Sequence, residues 1–84
     1  MKHVASRAFW QAHEKLPAAV RALAAKNFEL LKQNPAHPSL RLKRTSKFWS
    51  VRVELRYRAL AVEIDGGLLW FWIGSHADYD VLVK

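Results

Sequence analysis

The stretch from Trp49 to His76, WSVRVELRYRALAVEIDGGLLWFWIGSH, most constrains what this chain can fold into. Val51, Val53 and Leu55 alternate with Ser50, Arg52, Glu54 and Arg56, the two-residue period that sends one set of side chains into a core and the other toward solvent. From Tyr57 to Ile64 the large apolar residues fall on even positions, Leu60, Val62 and Ile64, so the phase slips and a reversal belongs around Glu54 to Arg56. Asp65-Gly66-Gly67 supplies the next turn, because glycine reaches the positive φ angles of a tight hairpin. Leu68 to Ile73 is apolar on both parities, as suits a strand covered on both faces within its sheet. The expectation is a three-stranded antiparallel meander ending at Gly74-Ser75-His76.

Upstream, residues 1 to 4 leave a short strand and a frayed end equally open. Ser6 is a helix cap for a first helix over Arg7 to Lys15, with Phe9, Trp10 and His13 at helical spacing. Leu16-Pro17 interrupts it, since proline disfavours helix in the residue before it and suits the first turn of the next. A second helix runs from Pro17 to about Gln33 on the stripe Val20, Leu23, Ala24, Phe28 and Leu31. The two form an antiparallel hairpin. Asn34-Pro35-Ala36-His37-Pro38 ends it, and Leu40 and Leu42, alternating with Arg41 and Lys43, read as a short edge strand or extended arm. The fold class is therefore α+β, one domain over residues 1–84, with an N-terminal helical hairpin packed on a three- to four-stranded antiparallel sheet.

Composition narrows the chemistry. The chain has 84 residues and no cysteine, which excludes a disulfide framework, a thiolate metal site and a cysteine nucleophile. His3, His13 and His37 lack ligand spacing, so neither a metal nor a cofactor is expected. No apolar run reaches the roughly 18 residues of a membrane span, no leader pattern opens the chain, and a cytoplasmic location is the expectation. Fourteen Lys and Arg against seven Asp and Glu give a net charge of +7, a strong field for a small body, which points to polyanionic partners. Arg41, Lys43, Arg44, Lys47, Arg52, Arg56 and Arg58 fall close together, with Phe48, Trp49 and Tyr57 between them. Cations interleaved with aromatics suit phosphate contacts and base stacking. A solubilising surface that attracts an acidic protein is the plainer reading of the same charge.

Taken together, the helical hairpin, the connector from Asn34 to Lys43 (NPAHPSLRLK), WSVRVELRYRAL, the Asp-Gly-Gly turn and WFWIGSHADYDVL resemble the RelE/ParE toxin superfamily of bacterial toxin-antitoxin systems. The resemblance runs from about Phe9 to Leu82, and the first strand usual in that superfamily is shortened or missing. It implies one of two activities: RelE-like members cut messenger RNA on the ribosome without metal, whereas ParE-like members inhibit DNA gyrase. It also implies an acidic antitoxin partner that lays a strand or helix across the basic face. A third possibility is a binding module that keeps the fold without the chemistry.

Metal-free RNA cleavage needs a base for the 2′-hydroxyl, cations on the scissile phosphate and a proton for the leaving oxygen. His76 fits the first role because imidazole titrates near neutrality. Arg52 and Arg58 fit the second through bidentate geometry, and Tyr79 fits stacking on a base or proton donation. Lys43, Arg44, Lys47 and Arg56 extend a groove that tracks the backbone. By resemblance, the arginine of the family's strand pair maps to Arg52 or Arg58, and its C-terminal histidine and aromatic to His76 and Tyr79. Each has a structural counterpart: His76 as a turn cap, the arginines as partners of Glu54, Glu63 or the C-terminal acids, and Tyr79 as core. Asp78 and Asp80 suit either orientation of His76 or capping of the last turn.

Overall fold

The computed structural model describes residues 2–45 and 47–83. In chain order the elements are strand β1 (Lys2–Ala5), helix α1 (Arg7–Glu14), helix α2 (Ala18–Gln33), a 3-10 turn at Pro38–Leu40, and strands β2 (Lys43–Arg44), β3 (Trp49–Glu54), β4 (Tyr57–Ile64) and β5 (Gly67–Ser75), followed by helix α3 (His76–Val83). The five strands form one sheet ordered β1-β5-β4-β3-β2. β2, β3, β4 and β5 pair antiparallel, and β1 lies parallel to β5 at the far edge. The sheet is thus mixed rather than wholly antiparallel, and residues 2–5 are a strand.

The helical hairpin forms where the sequence places it. Ser6 accepts from the Phe9 amide at 3.2 Å, the cap that starts α1. Arg21 of α2 donates to the carbonyls of Glu14 (3.4 Å) and Leu16 (3.1 Å), satisfying acceptors left over where α1 ends. Phe9 of α1 and Val20, Ala24 and Leu31 of α2 pack on Val51, Val53, Ala59, Ala61, Leu68, Trp70 and Ile73. Leu23 departs from the expected stripe and is exposed, as is Trp10. The face of the sheet under α1 and α2 is called inner here and its reverse outer.

One irregularity accounts for the mixed parity of β5. Leu68 and Trp70 are inner residues, yet so is Ile73. A register shift opposite Leu60 and Ala61 leaves Phe71 as the extra residue between Trp70 and Trp72, and such a bulge re-aims side chains. At the preceding hairpin, Gly66 takes φ 76°, which glycine adopts without penalty. Gly67 serves a different need: a Cβ there would collide with the Lys2 carbonyl, so its bare backbone is what lets β1 dock.

The largest departure from expectation is α3. The chain does not stop at a turn after β5 but continues as a helix that folds back over β4 and β5 on the outer face. Ser75 caps it, accepting from the Asp78 amide at 3.2 Å. The His76 amide donates to the Arg56 carbonyl at 2.6 Å, tying the helix start to the β3–β4 turn.

Candidate functional site

The outer face follows from strand alternation. Since Val51, Val53 and Ala59 point inward, Ser50, Arg52, Arg58 and Leu60 point outward. Register then sets the rows: Arg52 opposite Arg58 opposite Gly74, and Ser50 opposite Leu60 opposite Trp72. Lys43 pairs with Ser50 and joins the same face, where it is exposed.

Two guanidinium groups therefore sit side by side with no strand between them. Burial, then the facing Arg52 charge, and more weakly Arg41, pull the Arg58 pKa below its usual value, with Tyr79 and Asp80 acting in the opposite sense. A like-charged pair held in this way is a ready seat for an anion. Arg58 is also anchored. Its Nη1 donates to the carbonyls of Glu54 (2.7 Å), Tyr57 (2.9 Å) and Leu55 (3.3 Å), so it closes the β3–β4 turn. It bonds the Glu54 backbone, not the carboxylate, which is taken by the Arg56 amide at 2.5 Å.

α3 brings the remaining candidates to this row. Tyr79 is 6% exposed and lies on the sheet with its hydroxyl 3.5 Å from Ser50 Oγ, itself fully buried. Its ring is the anchor that holds α3 down. His76, one turn earlier, keeps its side chain 48% exposed, stacks obliquely on Tyr79 with centroids 5.7 Å apart, and places Nε2 3.4 Å from the Asp80 carboxylate. Asp80 is also near enough to Arg58 to favour its charged form. Asp78 contributes its backbone amide to the Ser75 cap. Arg56 is exposed in the turn beside His76.

The structure separates two of the proposed backbone-tracking residues from this group. Arg44 pairs with Trp49 and so lies on the inner side, where it binds Glu63 at 3.0 Å while the Trp49 indole donates to the same carboxylate oxygen at 2.8 Å. Lys47 is exposed in the β2–β3 connection, at the opposite end of β3 from the turn that meets His76. Of the interleaved aromatics, Trp49 and Tyr57 pack against the core, and Phe48 falls on the outer side.

One residue counted in the basic cluster was not placed among the site candidates. Arg41 follows the 3-10 turn at φ 48°, a left-handed conformation rare outside glycine, and lies close enough to weaken Arg58's hold on its proton. Leu40, fully buried, pins the turn beneath it. The signal was available: two prolines force a stop, and a buried leucine directly before Arg41 fixes where its side chain leaves the core. Among the described residues, no group of three or more His, Asp or Glu is placed to hold a metal, and no helix is long and apolar enough to cross a membrane.

Comparison with known proteins follows the same lines. The model of the ParE-like toxin domain matches residues 18–81. No curated protein sequence matches the chain. Among solved structures, the chain is similar to RelE in the RelB-RelE antitoxin-toxin complex from Methanococcus jannaschii, at TM-score 0.74 and 9% identity over 96% of this chain and 99% of that one. It is similar to the YoeB/ParE toxin from Agrobacterium tumefaciens, at TM-score 0.66 and 17% identity over 90% and 99%. It also resembles the isolated E. coli RelE toxin, at TM-score 0.61 and 14% identity over 95% and 93%. At these identities the structural likeness is one of fold, and the family match runs through α2, the sheet and most of α3. The chain belongs to the ParE-like toxin family, within the RelE/ParE toxin superfamily.

Proposed function

We propose that this protein is the toxin of a toxin-antitoxin pair and cleaves messenger RNA on the ribosome without metal, in the cytoplasm. The observation that carries the reading is the row formed by Arg52, Arg58 and, at its rim, the exposed His76 with Asp80. In the proposed reaction the His76 imidazole takes the proton of a 2′-hydroxyl, and the 2′-oxygen attacks the adjacent phosphorus. A cyclic phosphate forms, the bond to the 5′-oxygen breaks, and that oxygen leaves with a proton from water. Arg52, with the free edge of Arg58, stabilises the negative charge that builds on phosphorus's oxygens. Asp80 orients His76, and Tyr79 acts by holding α3, and with it the imidazole, against the sheet. Lys43, Arg41 and Arg56 flank the row and would steer the strand. An acidic antitoxin, as the neighbouring RelB-RelE complex suggests, would neutralise this face.

A second target, DNA gyrase, is favoured by one observation: Arg58 Nη1 is committed to three carbonyls, a structural duty that a purely binding face would tolerate better than a catalytic one. Expression in bacteria without antitoxin separates the readings. New message ends within translated codons, lost in His76→Ala, support cleavage. Undiminished toxicity of His76→Ala, with DNA-damage signalling and intact messages, supports gyrase. No growth defect from the wild type leaves a binding module.

A further inference from the structure

The half of the outer face not covered by α3 carries aromatic rings that the reaction above does not use. Phe48 alternates with inner-facing Trp49, and the register pairing Trp49 with Ala61 sets Phe48 beside Val62. Its ring meets that of Phe71 across β4, with centroids 5.2 Å apart and planes tilted by 58°. Phe71 reaches this side because of the β5 bulge: a regular strand would pair alternate residues throughout, and the extra residue lets Phe71 and Trp72 follow one another between inner-facing Trp70 and Ile73. Phe48, Phe71, Val62 and Leu69 are all partly exposed. Bulges beside functional sites commonly re-aim a side chain.

Position decides what such a patch takes. Phe48, just ahead of β3, and Ser50 and Arg52 within it follow one another on the same face, so the backbone positions carrying the ring and the guanidinium are roughly 13 Å apart along the strand. That exceeds the reach of one base from its own phosphate. Lys43, opposite Ser50, supplies a cation between the two. An aromatic platform, a central cation and a paired-arginine seat in line match a single strand of nucleic acid, whose bases stack while its phosphates track positive charge. A duplex, with its bases already stacked, has nothing to offer the rings.

We infer that Phe48 and Phe71 form a base-stacking subsite for a nucleotide neighbouring the one whose phosphate sits on Arg52 and Arg58, so that the ligand of this face is single-stranded RNA read partly through stacking. The inference rests on the reading of this face as an RNA site, but not on cleavage. The test measures binding of a labelled eight-nucleotide adenosine RNA and of an abasic strand of equal charge, by anisotropy, for wild type, Phe71→Leu and Phe48→Leu/Phe71→Leu. Leucine keeps the patch apolar, and a thermal melt checks that each variant folds. Wild type should prefer the RNA over the abasic strand by about 5- to 100-fold, and the double variant should lose most of that preference with an unchanged salt slope. Arg52→Gln should weaken both ligands and reduce the slope by about one.

Equal binding of both strands by wild type, or a preference that survives in the double variant, would overturn the subsite. A double variant that keeps its RNA preference but no longer binds an acidic antitoxin peptide would also overturn it, and would make the patch a protein surface. If the preference depends on the rings while programmed ribosomes are left uncut, the subsite stands and the nuclease reading falls.

Discussion

Arg52 and Arg58 occupy directly opposed positions on β3 and β4, two positive charges adjacent on the face that α1 and α2 leave uncovered. Like charges at opposed strand positions destabilise a sheet, by about 0.2 to 1 kcal/mol. In the proposed reading an anion seated on the pair relieves that repulsion. Arg52→Gln should therefore raise the urea midpoint slightly at low salt, with the gain shrinking as salt screens the pair, while weakening RNA binding. Inorganic phosphate should stabilise the wild type more than the variant. A variant less stable than wild type at low salt would show that Arg52 is structural.

Tyr79 anchors α3, and its ring and hydroxyl contribute unequally. The hydroxyl contact with Ser50 is long, 3.5 Å, so Tyr79→Phe should cost less than about 1 kcal/mol. Removing the ring in Tyr79→Ala empties a buried site and should cost about 3 kcal/mol or more. Hydrogen exchange of the α3 amides distinguishes the two: fast exchange in the alanine variant and near wild-type protection in the phenylalanine one. A large loss in Tyr79→Phe would instead assign the hydroxyl the main role.

Gly67 permits β1. Because a Cβ there meets the Lys2 carbonyl, Gly67→Ala should push β1 off β5 at a cost of about 1 to 3 kcal/mol. The amides of residues 2–5 should lose protection while the β3–β4 amides keep theirs. Equal loss throughout the sheet would mean that β1 is not a separable edge.

The same edge carries a pH dependence. His3 Nδ1 accepts from the Trp70 indole at 3.1 Å and the rings are near parallel. Burial first, then nearby positive charge including Lys32, lowers the His3 pKa from 6.5. A lowered pKa on a base means that the folded state binds fewer protons than the unfolded one, so stability is full above pH 6.5 and declines as pH falls below it toward the folded value. Urea midpoints at pH 7.5 and pH 5.5 should differ more for wild type than for His3→Asn, whose amide oxygen can still accept. Equal differences would remove His3 as the cause.

Much of this was legible in the residues. Alternation through Val51 and Val53 and the loss of phase after them place β3, the turn and β4, although Leu55, expected on the buried face, is 67% exposed in the turn. Strand phase alone would have set Arg58 on the buried side with Leu60, Val62 and Ile64; the register instead turns Ala59 and Ala61 inward and leaves Arg58 and Leu60 outward beside Arg52. Two features were harder to see. The Ser75-x-x-Asp78 cap marked the start of α3, but an apolar tail after a strand reads equally well as an extended end. β1 was ambiguous because a parallel edge strand is specified by its partner, and the second glycine of Asp65-Gly66-Gly67 reads as part of the turn when its work is to admit Lys2. Arg44 shows the limit of counting charge: it is basic and exposed, yet one residue past Lys43 it faces the other side and meets Glu63.

The most direct measurement is cleavage of a defined message on purified bacterial ribosomes by wild type, Arg52→Gln and His76→Ala, each checked for folding and read by primer extension. The account predicts discrete cuts within codons for wild type and a loss of about 100-fold or more in His76→Ala. Cuts by His76→Ala at the wild-type rate, or intact message with wild type, would contradict it.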